Sequence, residues 1–179
     1  MECTKCPLHK TRTHAVPGEG NPSSRVVLIG EAPGYWEDVQ GRPFVGRSGR
    51  LLDKTLAEAG LDRTKVFITN IVKCRPPENR RPSKSELEIC SVYINQQLEL
   101  ISPRVIVPLG NTAGEWVFSK YGLEWPGATK ANGQIFKIST LFGRLIILPA
   151  FHPAAVLRNP NRLEEFQAVF QKLKAVIQP

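Results

Sequence analysis

The stretch VVLIGEAPGYWED, residues 26–38, decides the fold class because it joins an apparent buried strand to a loop rich in glycine and proline. VVLIG is a continuous apolar run, which is typical of a strand that is covered on both faces of its sheet. Gly30, Pro33 and Gly34 follow at once, so the chain turns sharply and the proline stiffens the turn. The stretch therefore predicts a buried strand that ends in a stiff loop at the edge of an α/β sheet.

Similar apolar runs along the chain predict the rest of the sheet. They lie at residues 25–30, 65–72, 104–110 and 144–151, and residues 134–140 fit a short edge strand or hairpin. Helical patterns lie at residues 48–59, 83–100, 111–121 and 163–177. Ser83 and Glu86 match a capping box, and Gly60 suits a helix C-terminus. This alternation predicts an α/β fold, a three-layer α/β/α sandwich with a central, mainly parallel four-stranded sheet.

Composition limits the classes of function. The chain has 179 residues, which suits one domain over residues 1–179, and its formal net charge of +8 favours a polyanionic partner such as nucleic acid. No apolar run approaches the ~18 residues of a membrane span. The first residues, MECTKCPLHK, lack the apolar core of a secretion signal. We expect a cytoplasmic protein without a membrane partner, and a monomer.

Four cysteines indicate a metal site. Disulfides are uncommon in a reducing cytoplasm, and Cys3 and Cys6 form a C-x-x-C chelating pair, while Cys74 and Cys90 lie far along the chain. Thiolates from two separated segments would close the N-terminal segment onto the body of the fold. Zinc and a [4Fe–4S] cluster both remain open, although the wide second pair favours the cluster. Four unrelated thiols are the alternative.

Distinctive polar side chains follow three of the predicted strands. Ligands of open α/β sheets bind beyond the carboxyl ends of the strands, where Glu31, Asn70 and His152 would converge. The GEAPG loop is neither a dinucleotide fingerprint nor a Walker loop, and its carboxylate would repel phosphate. Glu31 instead suits a water or a developing cation, whereas a local capping role is the alternative.

The neighbouring residues suit recognition of a nucleobase. The amide of Asn70 offers an acceptor and donors in one plane, and Phe44, in GRPFVG, offers a ring for stacking. His152, as a neutral imidazole, would donate to a leaving group. Taken singly, Asn70 could equally satisfy its own turn, Phe44 could be packing, and His152 could be structural.

Taken together, these blocks resemble a known family. GEAPGYWED, GRPFVGRSGRLL, TNIVKCRPPENRRP and HPAAVLRNP, with the four cysteines, resemble family 4 uracil-DNA glycosylases, the iron–sulfur branch of that superfamily. The resemblance covers nearly the whole chain. Ser48 departs from the alanine of many relatives, which hardly touches function.

The resemblance implies hydrolysis of the N-glycosidic bond of deoxyuridine in single- or double-stranded DNA, which leaves an abasic site. A flipped uracil would stack on Phe44 and pair through its O4 and N3–H with Asn70, while Ala32 and Pro33 line the pocket. Glu31 would stabilise the sugar cation and orient or activate water, and His152 would donate to uracil O2.

The same resemblance implies further roles around the pocket. A [4Fe–4S] cluster on Cys3, Cys6, Cys74 and Cys90 would be structural. Thymine would be excluded by Glu37, or by Tyr35 or Trp36. Val156 or Leu157 would act as an apolar wedge in DNA, and Arg158 would contact phosphate. The basic loop would form a phosphate-binding surface or a solvated loop, through Arg75, Arg80, Arg81 and Lys84.

Two rival functions differ at named positions. A non-catalytic, metal-stabilised nucleic-acid-binding module would not need Glu31 and His152. A related branch that becomes covalently joined to its abasic product has GEQPG and an arginine-rich loop that ends in histidine. In this chain the third residue of that motif is Ala32 and not glutamine, and no arginine-rich loop that ends in histidine is visible.

Overall fold

A single six-stranded sheet organises the computed structural model, which describes residues 2–141 and 143–178. The strands are β1 Glu19–Gly20, β2 Val26–Gly30, β3 Phe67–Asn70, β4 Val105–Pro108, β5 Phe136–Thr140 and β6 Gly143–Ile147. Their order across the sheet is β1-β3-β2-β4-β6-β5. The central strands β3, β2, β4 and β6 are parallel, whereas β1 and β5 are antiparallel to their neighbours.

The predicted α/β architecture is confirmed, with two edge strands beyond the four-stranded core. The run at 134–140 forms β5, the edge strand that its pattern allowed. The second addition, β1, lies in a stretch that the sequence predicts as a connection. Glu19 and Gly20 pair with Ile68 and Phe67 over two residues only, so β1 is too short to leave an apolar pattern.

Seven α-helices accompany the sheet in the described residues. They are α1 Tyr35–Gln40, α2 Arg47–Glu58, α3 Lys84–Ile101, α4 Asn111–Lys120, α5 Ala128–Ala131, α6 Pro153–Arg158 and α7 Leu163–Ile177. The predicted capping box starts α3, with Ser83 and Glu86 bonded reciprocally. Gly60 follows α2 with a φ of +73°, the left-handed conformation expected of a terminal glycine. Within the described part of the chain, no helix is long and apolar enough to cross a membrane.

Strand β2 shows why its apolar run is continuous. Val26 and Leu28 face a core formed with α2, α6 and α7, while Val27 and Ile29 face a second core formed with α3 and α4. Both faces of the strand are therefore covered, which gives the three layers of the sandwich. The four parallel strands end at one edge, and the candidate site lies there.

Candidate functional site

A crevice of about 790 Å³ opens at the carboxyl edge of the sheet. It is lined by the loop after β2, the Phe44 loop, the end of β3, the start of α4 and the start of α6. Asn79 and Arg81 of the basic loop before α3 also reach the lining, so six separate segments meet at one place. Glu31, Ala32, Phe44, Asn70 and His152 all lie in the lining, as the sequence predicts.

Pro33 is the predicted pocket residue that departs from this arrangement. It is buried and is absent from the lining, while Ala32 and Gly34 on either side are part of it. The geometry thus gives no support to contact between Pro33 and a base. Helix α1 begins only at Tyr35, after Gly34, in keeping with the stiff turn that a proline enforces.

Asn70 supplies an unused polar group to the crevice. It closes β3 beside Gly30 of β2, and the residue is 2% exposed. Its side-chain amide makes no hydrogen bond with any residue of the described ranges. Its amide is open to the crevice, so its oxygen and N–H₂ group are available to a polar group of a ligand.

The ring of Phe44 lies beside that amide because Gly30 leaves room. A Cβ on Gly30 would come 2.3 Å from Asn70 Oδ1 and 2.7 Å from Phe44 Cζ. Phe44 itself has a φ of +51°, a left-handed conformation that is costly for an aromatic residue. The loop is therefore held in a strained shape that places a ring and an amide side by side.

Arg63 holds this strained loop from outside the crevice. Its Nη1 donates to the carbonyl of Pro43 at 2.8 Å, and its Nη2 donates to the carbonyl of Phe44. Carboxylates of Glu19 and Asp53 bind the same guanidinium at 3.2 and 2.8 Å. Four partners thus fix one side chain, and that side chain fixes the backbone on both sides of the Pro43–Phe44 bond.

Glu31 is oriented by a hydroxyl from the start of α4. Thr112 Oγ1, in the first turn of α4, donates to Glu31 Oε2, and Arg81 Nε lies 4.0 Å from the same oxygen. Its backbone carbonyl accepts from the N–H of Val72 at 3.0 Å, which extends the pairing of β2 and β3. The carboxylate therefore stands in a defined direction at the crevice wall.

The hydrogen bonds of His152 define its tautomer. It caps α6, where its Nδ1 accepts the N–H of Ala154 at 3.1 Å. A neutral ring with Nδ1 as acceptor carries its proton on Nε2. Burial lowers the pKa of His152 to about 4, and the positive charge of Arg158 adds to this. At neutral pH the crevice thus has a neutral imidazole with an N–H to donate.

Glu37 forms another part of the wall. Its Oε1 accepts the N–H groups of Val45 and Gly46, each at 2.9 Å. This fixes the carboxylate against the Phe44 loop. Tyr35 and Trp36, the alternatives for excluding thymine, are instead largely exposed.

The predicted DNA contacts divide in two. Val156 is 2% exposed and packs in the core with α2 and α7, so it is not placed to enter DNA. Leu157 and Arg158 are exposed beside the crevice, and Leu157 is the apolar candidate that remains.

The basic loop is only partly available for phosphate. Arg80 makes a bidentate pair with Glu86, at 2.8 Å for each bond, and Arg81 pairs with Glu115 at 3.2 Å. The Arg80 guanidinium lowers the pKa of Glu86 to about 2. Arg75 covers the Tyr35 ring, and Lys84 is exposed at the start of α3.

Three of the four cysteines pack together just beyond the end of β3. Cys6, Cys74 and Cys90 are buried and pack in one apolar group with Leu8 and Val72. We call these three thiols, together with that of Cys3, the cysteine group. None of the four is part of a disulfide. Burial raises the pKa of the Cys74 thiol, and it raises the pKa of the Cys90 thiol to about 11.

N–H and O–H donors already point at these sulfurs. Arg12 Nη1 donates to Cys74 Sγ at 3.1 Å, and the backbone N–H of Lys73 donates to Cys90 Sγ at 3.3 Å. Tyr93 hydrogen-bonds to Cys3, which raises the pKa of Tyr93 to about 12. Such donors are typical of sulfurs that carry negative charge as metal ligands. The donor set therefore fits a bound metal centre.

The spread of the thiols bears on which centre fits. Among the residues that the structure describes, no group of three or more His, Cys, Asp or Glu side chains is placed to hold a metal ion. A zinc ion needs its thiolates about 2.3 Å from one point, whereas each cysteine of a [4Fe–4S] cluster binds a different iron. The two centres therefore make different demands on the positions of the four thiols.

Lys73 connects the crevice with the cysteine group. It is 1% exposed, and its Nζ donates to Thr69 Oγ1, the Asn70 carbonyl and Gln97 Oε1 at 2.6, 2.7 and 2.6 Å. One residue therefore bonds to the backbone of Asn70 and to the sulfur of Cys90.

Sequence analysis did not single out Arg63, Thr112 or Lys73. Thr112 lies directly after the apolar run 104–110, at the start of the predicted helix 111–121, and that position beyond a strand end was its available signal. Arg63 and Lys73 donate to backbone carbonyls, and every residue type has such a carbonyl, so no sequence motif marks these contacts.

Comparison with known proteins gives a consistent result. Residues 17–174 match the family model of the uracil DNA glycosylase superfamily. The chain is 44% identical over 173 residues to a type-4 uracil-DNA glycosylase of Archaeoglobus fulgidus, covering 97% of this chain and 87% of that protein. It is 47% identical over 158 residues to a type-4 uracil-DNA glycosylase of Thermotoga maritima, covering 88% and 79%. A type-5 uracil-DNA glycosylase of Thermus thermophilus is 37% identical over 176 residues, covering 89% and 78%.

Proposed function

The chain belongs to the uracil DNA glycosylase superfamily and excises uracil from DNA in repair, and we propose that the crevice hydrolyses the N-glycosidic bond. The observation that carries this assignment is the side-chain amide of Asn70, which is open to the crevice, has no hydrogen bond to a described residue and lies beside the ring of Phe44. A flipped base can use a ring for stacking and an amide for its polar edge.

Asn70 and Phe44 select the base. The amide N–H₂ donates to uracil O4, and its oxygen accepts from N3–H. Cytosine has an acceptor at N3 and a donor at its 4-amino group, so a fixed amide meets it with mismatched partners. Glu37, held by Val45 and Gly46, is placed to exclude the 5-methyl group of thymine by contact.

Glu31 and His152 act on opposite charges as the bond breaks. Positive charge grows on the sugar, and the carboxylate of Glu31, oriented by Thr112, stabilises it and orients or activates water. Negative charge grows on uracil, and the Nε2–H of His152 donates to O2. A neutral donor in a dry crevice is effective because no solvent screens it.

The DNA surface lies around the crevice mouth. Arg158 contacts phosphate, and Leu157 is the apolar wedge that fills the space of the flipped nucleotide. Of the basic loop, Arg75, Arg81 and Lys84 are better placed than Arg80, whose guanidinium is already paired with Glu86.

The cysteine group holds a [4Fe–4S] cluster in this proposal. When bound, the cluster supplies a structural cross-link between the N-terminal segment and the strand-end loop, without a redox step. The donors from Arg12 and Lys73 to sulfur support thiolate ligands there. Protein prepared without oxygen should contain about four iron and four sulfide ions per chain. Stoichiometric zinc without iron would contradict this assignment.

Release of uracil from deoxyuridine-containing oligonucleotides, single-stranded and duplex, tests the function. We expect the wild type to release uracil, and Asn70→Ala, Glu31→Gln and His152→Ala to lose about 10²–10⁴-fold under single-turnover conditions. Asn95→Ala, a surface asparagine bonded to Lys120, is the matched control and should lose less than twofold. A wild type that binds DNA but releases no uracil at any pH would instead support a non-catalytic module.

A further inference from the structure

Two aromatic side chains are exposed at the mouth of the crevice. Tyr35 is 51% exposed and Trp36 is 54% exposed, and both belong to its lining. Their rings meet edge to face, with centroids 5.1 Å apart and an angle of 82°. Large exposed rings cost free energy in water, so their presence at a binding site indicates a contact that covers them.

Arginines alternate with these rings. Arg75 lies over the Tyr35 ring with its guanidinium carbon 5.1 Å from the centroid, and Arg47, Arg81 and Arg158 line the crevice around the pair. A positive surface with interspersed aromatic faces is the usual design of sites for single-stranded nucleic acid. The arginines attract the phosphates, and the rings stack on bases.

Trp36 has the more available ring. One face of Tyr35 is occupied by Arg75, whereas Trp36 meets the edge of the Tyr35 ring and lies near Gly46, where an added Cβ would be 3.6 Å from Trp36 Cδ1. The Phe44 loop thus supports Trp36 from one edge and leaves more than half of its surface open.

We propose that the Tyr35–Trp36 pair is a stacking platform for an unpaired base next to the uracil, and that it makes this protein favour single-stranded over duplex DNA. A base inside a duplex already has stacking partners on both faces, so it gains little from the ring. A base in a single strand, or beside a locally opened pair, gains a new stacking face. This inference rests on the proposed function for its substrate and goes beyond it in assigning the strand preference.

Binding to DNA without uracil tests the platform separately from excision. The probes are a labelled 12-nucleotide single strand lacking uracil and its duplex, measured by fluorescence anisotropy at one fixed salt concentration. Stacking contributes about 1–3 kcal/mol per base, so Trp36→Ala should weaken single-strand binding about 5–100-fold and duplex binding less than twofold. Trp36→Phe should retain most of the affinity, and Trp36→Leu, which keeps apolar area without a π face, should not.

Val39→Ala is the matched control, because Val39 is 40% exposed on the same helix and is absent from the crevice lining. It should leave both affinities unchanged. Equal losses on single strand and duplex for Trp36→Ala, or none on either, would overturn the platform. If the wild type released no uracil, the proposed function would fail while this binding result stayed interpretable.

Discussion

The crevice and the cysteine group meet at the end of one strand, yet they use hydrogen bonds in opposite ways. In the crevice the amide of Asn70 is open to a ligand and has no hydrogen bond to a described residue. His152 uses only Nδ1 in its hydrogen bond to Ala154, which leaves Nε2–H for a ligand. In the cysteine group, Cys3, Cys74 and Cys90 each accept a bond from Tyr93, Arg12 or Lys73.

This is the difference expected between a site that binds a passing ligand and one that would hold the proposed cluster. An amide that is open to a crevice is available to a ligand and adds little to the stability of the fold, whereas donors that bond to sulfur within the fold stabilise it permanently. Substitutions in the crevice should therefore cost activity, and those around the cysteines should cost stability.

The largest effect is expected from Cys90→Ser. Losing a ligand of the proposed cluster should lower the free energy of unfolding by about 4 kcal/mol, which corresponds to a Tm lower by about 10 °C. Differential scanning calorimetry with iron analysis measures both changes. Asn70→Ala is the contrasting variant, and its Tm should stay within about 2 °C of the wild type. A stable, iron-free Cys90→Ser protein would contradict a structural role for the cluster.

Lys73→Met tests the residue that belongs to both regions. Its loss leaves Thr69, the Asn70 carbonyl and Gln97 without their donor, at about 3 kcal/mol of stability in total. We also expect a higher KM for uracil-containing DNA, because Asn70 loses its backbone anchor. Lys65→Met, an exposed lysine bonded only to the Gly60 carbonyl at 3.0 Å, should cost less than about 0.5 kcal/mol. Equal stability of the two variants would remove Lys73 as a link.

The sequence predicted the residues of the crevice better than it predicted the residues that hold them in position. Glu31, Asn70 and His152 follow continuous apolar runs, and parallel strands bring their ends to one edge, so their convergence could be inferred. Arg63 reaches Phe44 across 19 residues through backbone carbonyls, which accept from any donor and leave no pattern in sequence. Val156 shares an apolar motif with Leu157, and only helix rotation decides which of them is buried. The strand β1 is too short for periodicity.

Arg63→Ala should lower kcat/KM for uracil excision about 30-fold, while Glu31 keeps its position and its role. The Pro43 and Phe44 carbonyls lose their donors, so the Phe44 loop relaxes from its strained φ and the stacking ring moves. A rise in KM larger than the fall in kcat, from steady-state uracil release, is the expected signature. Arg42→Ala removes an exposed partner of the same Glu19 and serves as control, with less than twofold change. Similar kinetics for both variants would leave Arg63 a merely structural residue.

The pH dependence of His152 should separate it from an ordinary histidine. Burial lowers its pKa to about 4, so at pH 5.5 it stays neutral and still donates from Nε2, whereas an ordinary imidazole would be about 90% protonated. Nitrogen-detected NMR of the ring should show the Nε2–H tautomer down to about pH 5.

The lowered pKa of His152 also makes the stability of the fold depend on pH. The unfolded chain protonates this histidine near pH 6.5 and the folded protein only near 4, so the folded state loses stability as pH falls between those values. His152→Gln should abolish that part of the decline in urea unfolding. A ring that titrates near pH 6.5 in the folded protein would contradict the neutral-donor role.

Two threonine-to-valine substitutions give the smallest and most symmetrical test. Thr112 donates to Glu31 in the crevice, while Thr55 Oγ1 in α2 is buried without a hydrogen-bond partner among the described residues. Thr112→Val should slow excision about fivefold with little change in Tm, because the carboxylate loses its orienting donor. Thr55→Val should leave excision unchanged and raise stability by up to about 1 kcal/mol, since it removes an unpaired hydroxyl from the core. Both substitutions keep the volume of the side chain, so they differ only in what each hydroxyl contacts. If both variants changed activity equally, the distinction between bonds kept for the reaction and bonds kept for the fold would fail at this pair.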